Sequence, residues 1–371
     1  MSDADTGTDG APESDGAHAA RSDPLLSVEG LRKYYADDQS LIDRLLGADE
    51  ASVKAVDGVS FEVAEGETLG LVGESGCGKS TTGETVLRLR EATDGRISFD
   101  GDDLLTMTDA ELTEFRKRAQ IVFQDPFSSL DPRMTAGDII TEGLRIHDVA
   151  DQAERRETAR DLLDRVGLSA DQIDRYPHEF SGGQRQRIGI ARALAVDPEF
   201  IVLDEPVSAL DVSVQAQILN LLDDLQDDFG LTYLFIAHNL SVVRHICDRV
   251  AVMYLGEIVE TGPVDEIFAD PAHPYTKALL SSVPRVTTED RADEFATLHG
   301  DVPSPRNPPA GCRFHTRCPE ARAACRESPP PAYDVGERRS ATCFRADADH
   351  SYWESEPIEE NARIAGEAAD D

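Results

Sequence analysis

Two strongly apolar stretches in the second half of the chain end abruptly in polar residues. FIVLDEP covers residues 200–206, and LTYLFIAH covers residues 231–238. Apolar runs of this length are typical of strands that are buried on both faces of a parallel sheet. Between them, residues 214–230 (VQAQILNLLDDLQDDFG) carry apolar side chains at helical spacing. The strand–helix–strand order predicts a doubly wound α/β domain.

The first half of the chain predicts further strands and then a helix-rich region. LLSVEGLRKYY at 25–35 alternates between apolar and polar residues, and residues 53–73 read as further strands. IVFQD at 121–125 is another apolar strand. The stretch 127–185 is rich in helical pattern and includes QAERRETARDLLDRVGL at 152–168.

Composition changes near the ends of the chain predict its domain boundaries. Residues 1–23 and 346–371 are polar and acidic, so we expect two disordered tails. Residues 24–284 form one expected domain. A Pro-rich, non-periodic stretch follows (DVPSPRNPPAGC), and residues 285–345 are expected to form a small cysteine-containing extension.

The charge balance is strongly acidic. The 371 residues include 36 bases and 72 acids, which gives a formal net charge of −36. Nucleic-acid binding needs a basic face, so nucleic acid is not a predicted partner. The acidity has two interpretations, a surface that repels an acidic substrate or binds a partner, and the solvated surface of a protein from a halophile. We favour the second interpretation.

The sequence predicts no membrane span and no secretion signal. No window approaches the roughly eighteen uninterrupted apolar residues of a spanning helix. The acidic N-terminus has no apolar core segment, so it is not a signal peptide. We therefore expect the protein to remain on the cytosolic side.

Residues 73–80 read GESGCGKS and fit the pattern G-x-x-x-x-G-K-[ST]. The motif follows the strand TLGLV and precedes the helical STTGETVLRL, which is the context that a phosphate-binding loop requires. Its glycines allow backbone N–H groups to approach phosphates. Lys79 is expected to reach the β- and γ-phosphates, and the Ser80 hydroxyl to bind Mg²⁺.

Three polar residues follow the two apolar strands and supply candidate catalytic groups. Asp204 ends the first strand and is placed to hold Mg²⁺, and Glu205 comes next, where a carboxylate can deprotonate an attacking water. His238 ends the second strand and is a candidate hydrogen-bond partner for the γ-phosphate. The alternatives are a solvated turn for the two acids and a structural role for the histidine.

Residues 178–193, HEFSGGQRQRIGIARA, present a second phosphate-binding feature. Ser181, Gly182 and Gly183 open a stretch with helical pattern, and exposed N–H groups at a helix start attract phosphate. One bound nucleotide does not need two phosphate-binding features from the same chain, so the second feature needs a separate explanation.

Six motifs in a fixed order resemble the ATP-binding subunits of ABC transporters. They are Walker A (GESGCGKST), the glutamine loop (VFQDP, Gln124), the signature (FSGGQRQR), Walker B (IVLDE), the D-loop (SALD, Asp211) and the switch histidine (His238). The resemblance covers residues 25–283, and its one departure is Phe180, where the commonest signature has Leu. It implies a P-loop ATPase core with a mostly parallel sheet, an antiparallel β-subdomain and a helical subdomain.

The resemblance also explains the second phosphate-binding feature. Members form head-to-tail dimers in which each ATP lies on the Walker A motif of one subunit and is capped by the signature of the other. Gln124 is then expected to contact Mg²⁺ or the attacking water, and Tyr35 to stack on adenine, with Tyr34 as the alternative. The implied nucleotide contacts are Tyr35, Gly73, Ser75, Gly76, Cys77, Gly78, Lys79, Ser80, Thr81, Gln124, Ser181, Gly182, Gly183, Gln184, Asp204 and Asp211. The implied catalytic residues are Lys79, Gln124, Glu205 and His238, and the implied Mg²⁺ ligands are Ser80, Gln124 and Asp204.

Four cysteines near the end of the chain, Cys312, Cys318, Cys325 and Cys343, have the spacing C-x₅-C-x₆-C-x₁₇-C. Disulfides are disfavoured in a reducing cytosol, so clustered thiols indicate a metal. The spacing is wider than in common zinc sites. The tail, with HPYTKALLSSVP and GCRFHTRCP, resembles the oligopeptide/dipeptide importer subfamily, some of whose members carry an iron–sulfur cluster there. A [4Fe–4S] cluster is the favoured prediction, with Zn²⁺ and unliganded cysteines as alternatives.

The resemblance implies a motor for uptake of peptides or related solutes. The expected partners are a second ATPase subunit, more often a sibling chain than a copy, two integral membrane permeases and, indirectly, an extracellular solute-binding protein. The expected location is the cytoplasmic face of the cell membrane. The alternative function is a soluble ABC-type ATPase of DNA repair or translation. A GTPase is not predicted, because the sequence contains no N-K-x-D motif for guanine recognition.

The charge predicts a dependence of stability on salt. Because the Debye length is about 3 Å at molar salt, self-repulsion among the acidic groups is then largely screened. We expect the melting temperature to rise steeply as KCl is raised from dilute buffer to molar concentration. Thermal denaturation followed by circular dichroism measures this, and a melting temperature that is insensitive to salt contradicts the halophile interpretation.

Overall fold

The computed structural model describes residues 24–36, 52–281 and 300–358. The predicted N-terminal tail lies outside these residues, as do positions 282–299, where the predicted domain boundary falls. The strands are β1 Leu26–Ala36, β2 Ser52–Val63, β3 Thr68–Val72, β4 Asp94–Phe99, β5 Asp102–Asp103, β6 Ala119–Val122, β7 Phe200–Asp204, β8 Thr232–Ala237, β9 Arg249–Tyr254, β10 Glu257–Pro263, β11 Tyr333–Gly336 and β12 Arg339–Ala341.

The helices are mostly short. They are α1 Lys79–Val86, α2 Asp109–Arg118, α3 Ala136–Ile140, α4 Glu142–Ile146, α5 Gln152–Arg165, α6 Gly182–Leu194, α7 Val212–Phe229, α8 Leu240–Ile246, α9 Val264–Ala269, α10 Pro274–Ser281 and α11 Ala324–Glu327. Among the described residues, each helix is too short or too polar to cross a bilayer.

A large mixed sheet forms the centre of the molecule, in the order β11-β12-β10-β9-β3-β8-β7-β6. The five strands from β9 to β6 are parallel, and β10 turns the sheet antiparallel. Strands β3, β7 and β8 are buried at every position, as their continuous apolar sequences predict. Because these three strands are neighbours, the polar groups at their carboxyl ends meet at one edge.

The two faces of the central sheet contribute to two different cores. A four-stranded antiparallel sheet, in the order β2-β1-β4-β5, covers one face and packs on side chains such as Leu71, Val202 and Ile236. Helices α1 and α2 join this first core through Val86, Leu112 and Phe115. The helical subdomain, α7 and α8 cover the opposite face, where Leu203 and Phe235 point. Alternate residues of one buried strand therefore stabilise two layers. The predicted combination of a parallel sheet and an antiparallel β-subdomain is confirmed.

Helices α3 to α6 form the helical subdomain, and local capping sets where several of them start. The Thr135 and Asp138 side chains cap α3, and those of Asp151 and Glu154 cap α5. Each pair satisfies backbone N–H groups that would otherwise lack a partner at a helix start. The pattern at 152–168 is thereby confirmed as a helix, α5.

The C-terminal extension is joined to the central sheet. Strand β12 pairs antiparallel with β10 on one side and with β11 on the other. Arg339 of β12 forms a buried ion pair with Glu260 of β10 at 3.2 Å. Residues 346–358, assigned from composition to an acidic tail, pack here because Tyr352 and Ile358 are apolar and buried.

Candidate nucleotide-binding site

The loop at 73–80 connects β3 to α1 and can be built only with glycine at two positions. Gly73 has φ 156° and Gly78 has φ 110°. A Cβ atom at Gly73 would lie 2.1 Å from the Met253 carbonyl oxygen, and one at Gly78 would lie 2.1 Å from the Ala55 carbonyl oxygen. The loop is therefore held tightly against β2 and β9, and its backbone N–H groups are presented at the start of α1.

Lys79 is buried at the first position of α1, with 5% of its surface exposed. Its ammonium group donates to the carbonyl oxygens of Gly73 and Glu74, at 2.9 and 3.1 Å. Both acceptors are neutral, so the positive charge remains available to an anion above the loop.

Asp204 and Ser80 meet at the edge of the sheet, as the sequence predicts. The Ser80 hydroxyl donates to the Asp204 carboxylate at 2.9 Å. Burial raises the pKa of Asp204 above its ordinary value, the bond from Ser80 opposes this, and the neighbouring Glu205 adds to it. A buried carboxylate beside a hydroxyl group fits a divalent cation, because the cation would offset the cost of burying the charge.

Two candidate catalytic side chains converge on one oxygen atom of a third, Glu205. The Gln124 amide donates to Oε2 of Glu205 at 2.9 Å, and Nδ1 of His238 lies 3.1 Å from the same atom. Glu205 has φ 45°, in the left-handed region. That conformation costs a non-glycine residue of order 1–3 kcal/mol and is concentrated at functional sites.

These groups line one open cavity of about 540 Å³. Ala55 of β2, which the sequence analysis missed, also belongs to the wall. No pattern in the sequence singles out an alanine that only tertiary packing brings to the loop. The lining residues are Ala55, Ser75, Gly76, Gly78, Lys79, Ser80, Thr81, Gln124, Glu205 and His238.

The two adjacent tyrosines at the end of β1 have different partners. The Tyr34 hydroxyl donates a hydrogen bond to Asp57, and burial, followed by that bond, raises the pKa of Tyr34 to about 12. The Tyr35 ring lies 5.0 Å from the Lys33 ammonium and 5.6 Å from the Arg90 guanidinium. Tyr35 is outside the cavity lining, so its stacking role stays a prediction.

The signature residues lie at the N-terminus of α6, where Ser181 is exposed and Gly182, Gly183 and Gln184 are half-buried, and they do not line the cavity. The Ser181 hydroxyl accepts from the Gln184 N–H at 3.3 Å, and the Gln184 side chain accepts from the Ser181 N–H at 3.0 Å. A Cβ atom at Gly183 would lie 2.4 Å from the Val214 side chain, so this glycine also permits close packing against α7. Asp211 caps α7 by accepting from the Val214 N–H at 3.0 Å.

The four C-terminal cysteines lie in the extension and are buried or half-buried. Burial raises the pKa of Cys312 to about 12 and that of Cys343 to about 11, and neighbouring cysteines add to both shifts. Among the described residues, however, no three His, Cys, Asp or Glu side chains are grouped so that they could hold a metal ion. The arrangement therefore does not fit the predicted cluster. Cys77, in the phosphate loop, is buried, and burial raises its pKa.

Comparison with known protein families gives two matches. A family model described as "ABC transporter" matches residues 56–208. A second, described as "Oligopeptide/dipeptide transporter, C-terminal region", matches residues 259–325.

Relatives match over nearly their whole length. A putative peptide import ATP-binding protein of Brucella ovis is 54% identical over 322 residues, which cover 87% of this chain and 98% of the relative. The oligopeptide transport ATP-binding protein AppF of Bacillus subtilis is 52% identical over 329 residues, which cover 88% and 98%.

Solved structures agree on the fold of the core. The ATP-binding cassette MJ0796, in a dimeric post-hydrolysis state bound to ADP and Pi, is 28% identical with a TM-score of 0.57, covering 65% of this chain and 99% of that one. CbiO1 of Clostridium perfringens is 28% identical with a TM-score of 0.58, covering 67% and 92%.

The raised pKa of Asp204 predicts a stability effect with a defined sign. A carboxyl group whose pKa is raised by folding costs stability when it ionises, so the cost is absent below its unfolded pKa and complete above its folded pKa. Asp204→Asn should therefore raise the melting temperature at pH 7 without divalent cations, and the gain should shrink as the pH falls toward about 4. Mg²⁺ should stabilise the original chain more than the variant.

The exposed Asp224 of α7 supplies the control. Asp224→Asn should leave the melting temperature and the response to Mg²⁺ nearly unchanged. Scanning calorimetry across pH measures all three proteins. A lower melting temperature for Asp204→Asn at pH 7 would show that its charge stabilises the fold.

Proposed function

Because the chain belongs to the ABC transporter family of ATP-binding subunits, in its oligopeptide/dipeptide importer branch, we propose specific roles for its own residues in ATP hydrolysis. The chain is an ATPase, the motor subunit of an importer. The single observation that carries the residue roles is the meeting of Gln124 and His238 on one oxygen of Glu205, at the mouth of the phosphate loop.

The phosphate loop binds the polyphosphate of ATP. Most residues of the stretch 75–81 line the cavity, where backbone N–H groups at the start of α1 can bind phosphate oxygens, and Lys79 adds a buried positive charge. The Ser80 hydroxyl, the Asp204 carboxylate and the Gln124 amide would hold Mg²⁺, which supplies charge neutralisation on the phosphates.

Glu205 is the general base. Both of its side-chain contacts fall on Oε2, so the other carboxylate oxygen can accept a proton from water. Gln124 and His238 fix the direction of the carboxylate, and the left-handed backbone of Glu205 aims it from the end of β7. His238 is also in reach of the cavity, where it can hydrogen-bond a phosphoryl oxygen.

One chain supplies half of a complete site. The signature residues Ser181 to Gln184 form a helix start at which Ser181 is exposed and the other three residues are half-buried, and they stand outside the cavity that the phosphate loop lines. Their N–H groups and the helix dipole favour an anion that is presented by a second subunit. The dimeric ATP-binding cassette among the structural neighbours supports this arrangement. A sibling chain is the proposed partner, and Tyr35 the proposed adenine contact.

The helical subdomain is the proposed contact with two integral membrane permeases. Large apolar side chains are exposed in this subdomain and in the segment before it, with Ile146 at 68% and Phe127 at 61%. Exposed apolar side chains of this size are candidates for a protein interface. The subunit would then work at the cytoplasmic face of the membrane, and the names of the relatives favour peptides as the solute. The acidic surface is proposed as an adaptation to molar salt.

Replacing the general base tests the mechanism. Glu205→Gln removes the proton acceptor but keeps the shape, so ATP should still bind while turnover falls by about 10²–10⁴. Without cleavage, ATP should hold two subunits together. Phosphate release measures turnover, and size-exclusion chromatography with and without ATP measures association.

Glu199→Gln is the matched control, because Glu199 immediately precedes the opposite end of the same strand and is 48% exposed. It should turn over like the original chain. Rapid turnover by Glu205→Gln would remove Glu205 as the base. A Glu205→Gln protein that binds ATP yet stays monomeric, alone or with its sibling chain, would contradict the shared site.

Metal analysis tests the C-terminal cysteines. Four thiols in one small extension support the cluster prediction. A cluster requires their sulfur atoms to lie closer together than they do in the described part of the chain. Protein purified without oxygen should contain about four irons and four sulfides per chain if the cluster forms. Iron-free and zinc-free protein with full ATPase activity would show instead that the cysteines pack as buried, protonated thiols.

A further inference from the structure

The C-terminal extension reaches the phosphate loop through one arginine. Both Nη atoms of Arg317 donate to the Glu74 carboxylate, at 2.7 and 3.0 Å. The pair is largely shielded from water, with 5% of the Arg317 side chain and 24% of the Glu74 side chain exposed. Glu74 is the second residue of GESGCGKS, so this contact joins a residue 243 positions away to the loop that binds phosphate.

Glu74 is held at its backbone as well. Its N–H donates to the Tyr275 hydroxyl at 2.9 Å, and its carbonyl oxygen accepts from the Lys79 ammonium at 3.1 Å. Tyr275 packs on Tyr254 with ring centroids 4.6 Å apart, and Phe314 lies 5.3 Å from each of the two rings. The anchors are thus rigid aromatic groups from the core and the extension.

A second arginine of the extension supports the neighbouring turn. Arg313 donates to the carbonyl oxygen of Leu255 and to Asp57. The next residue in that turn, Gly256, donates its N–H to the carbonyl oxygen of Cys77 in the phosphate loop at 2.9 Å. The extension therefore supports the loop at two points, directly at Glu74 and through the neighbouring turn at Cys77.

We propose that Arg317 is a positioning residue for nucleotide, which holds Glu74 and neutralises its charge so that the loop can accept polyphosphate. The proposal rests on the ATP-binding role given above. An unpaired carboxylate in this loop would repel the phosphates, and it would also be free to draw Lys79 away from them. A bidentate pair removes both effects, because the fork of the guanidinium fixes the orientation of the carboxylate and offsets its charge.

Replacing Arg317 tests the proposal through nucleotide affinity. Arg317→Gln should raise the Kd of the full-length chain for Mg-ATP by roughly tenfold, as expected for loss of one charge-assisted contact. KM should rise with it, while kcat changes little, because the groups at Glu205 are untouched. Isothermal titration measures Kd, and phosphate release measures the kinetic constants.

Removing the Glu74 charge in the same protein distinguishes positioning from a general structural role. Arg317→Gln combined with Glu74→Gln leaves no unpaired carboxylate, so the affinity for Mg-ATP should recover most of the loss. If the double variant binds ATP as weakly as Arg317→Gln alone, the neutralising role is wrong.

Arg338→Gln is the matched control. Arg338 is another arginine of the extension that pairs with a core carboxylate, Glu67, at 3.5 Å, and Glu67 immediately precedes the far end of the strand that leads to the loop. Its loss should leave Kd for Mg-ATP unchanged. An equal loss of affinity in Arg338→Gln would overturn the proposal, because any weakening of the extension would then be enough to lower the affinity for Mg-ATP.

Folding of each variant is checked by its melting temperature and by the fluorescence of Trp353, which is the one tryptophan of the chain and lies in the segment 346–358 that packs against the extension. If Arg317→Gln fails to fold, Arg317→Lys replaces it, because lysine keeps the charge but cannot form the bidentate pair. The affinity of Arg317→Lys for Mg-ATP should lie between that of the original chain and that of a chain without the Arg317–Glu74 ion pair.

The proposal is overturned if a folded Arg317 variant binds Mg-ATP as tightly as the original chain does. Failure of the original chain to bind Mg-ATP would instead refute the proposed function.

Discussion

The architecture depends on one constraint, which is that a highly charged anion must be held where three buried strands end. Backbone N–H groups, one buried ammonium and one buried carboxylate are placed there by β3, β7 and β8. Polar groups at such a depth are stable only when they are fixed and partnered, so the strands that carry them are buried at every position. The apolar core of this protein is therefore what makes its charged site possible.

The same constraint explains the close packing around the loop. The carbonyl oxygens of Ala55 and Met253 leave no room for side chains at Gly78 and Gly73, so the antiparallel sheet and β9 both shape the phosphate loop. The extension adds Arg317 and Arg313 to that support. Residues that are far apart in the chain thus determine the conformation of a loop of eight residues.

The signature helix shows how a single feature serves two needs. Ser181 and Gln184 cap α6 within this chain, and Gly183 allows α6 to approach α7. These contacts stabilise the helix start, at which Ser181 is exposed and the next three residues are half-buried. A preorganised helix start that is partly open to solvent can also bind an anion, as the proposed contact with a partner's nucleotide requires. The proposed sharing of the site between two subunits is therefore compatible with a stable single chain.

Local interactions explain what the sequence determined by itself. Glycine spacing, strand burial and helix caps act within a few residues, so the phosphate loop, the buried strands β7 and β8, helix α5 and the candidate groups Lys79, Ser80, Asp204, Glu205 and His238 could be read from the chain. Contacts between distant segments could be identified only from the tertiary structure. The tertiary structure alone decided that Gln124 and His238 share one oxygen of Glu205, that Arg317 pairs with Glu74 and that residues 346–358 pack against the extension. It also decided that the four cysteines are buried or half-buried without forming a metal-holding group in the described part of the chain. Those outcomes depend on the packing of whole layers, and no short pattern in the sequence encodes it.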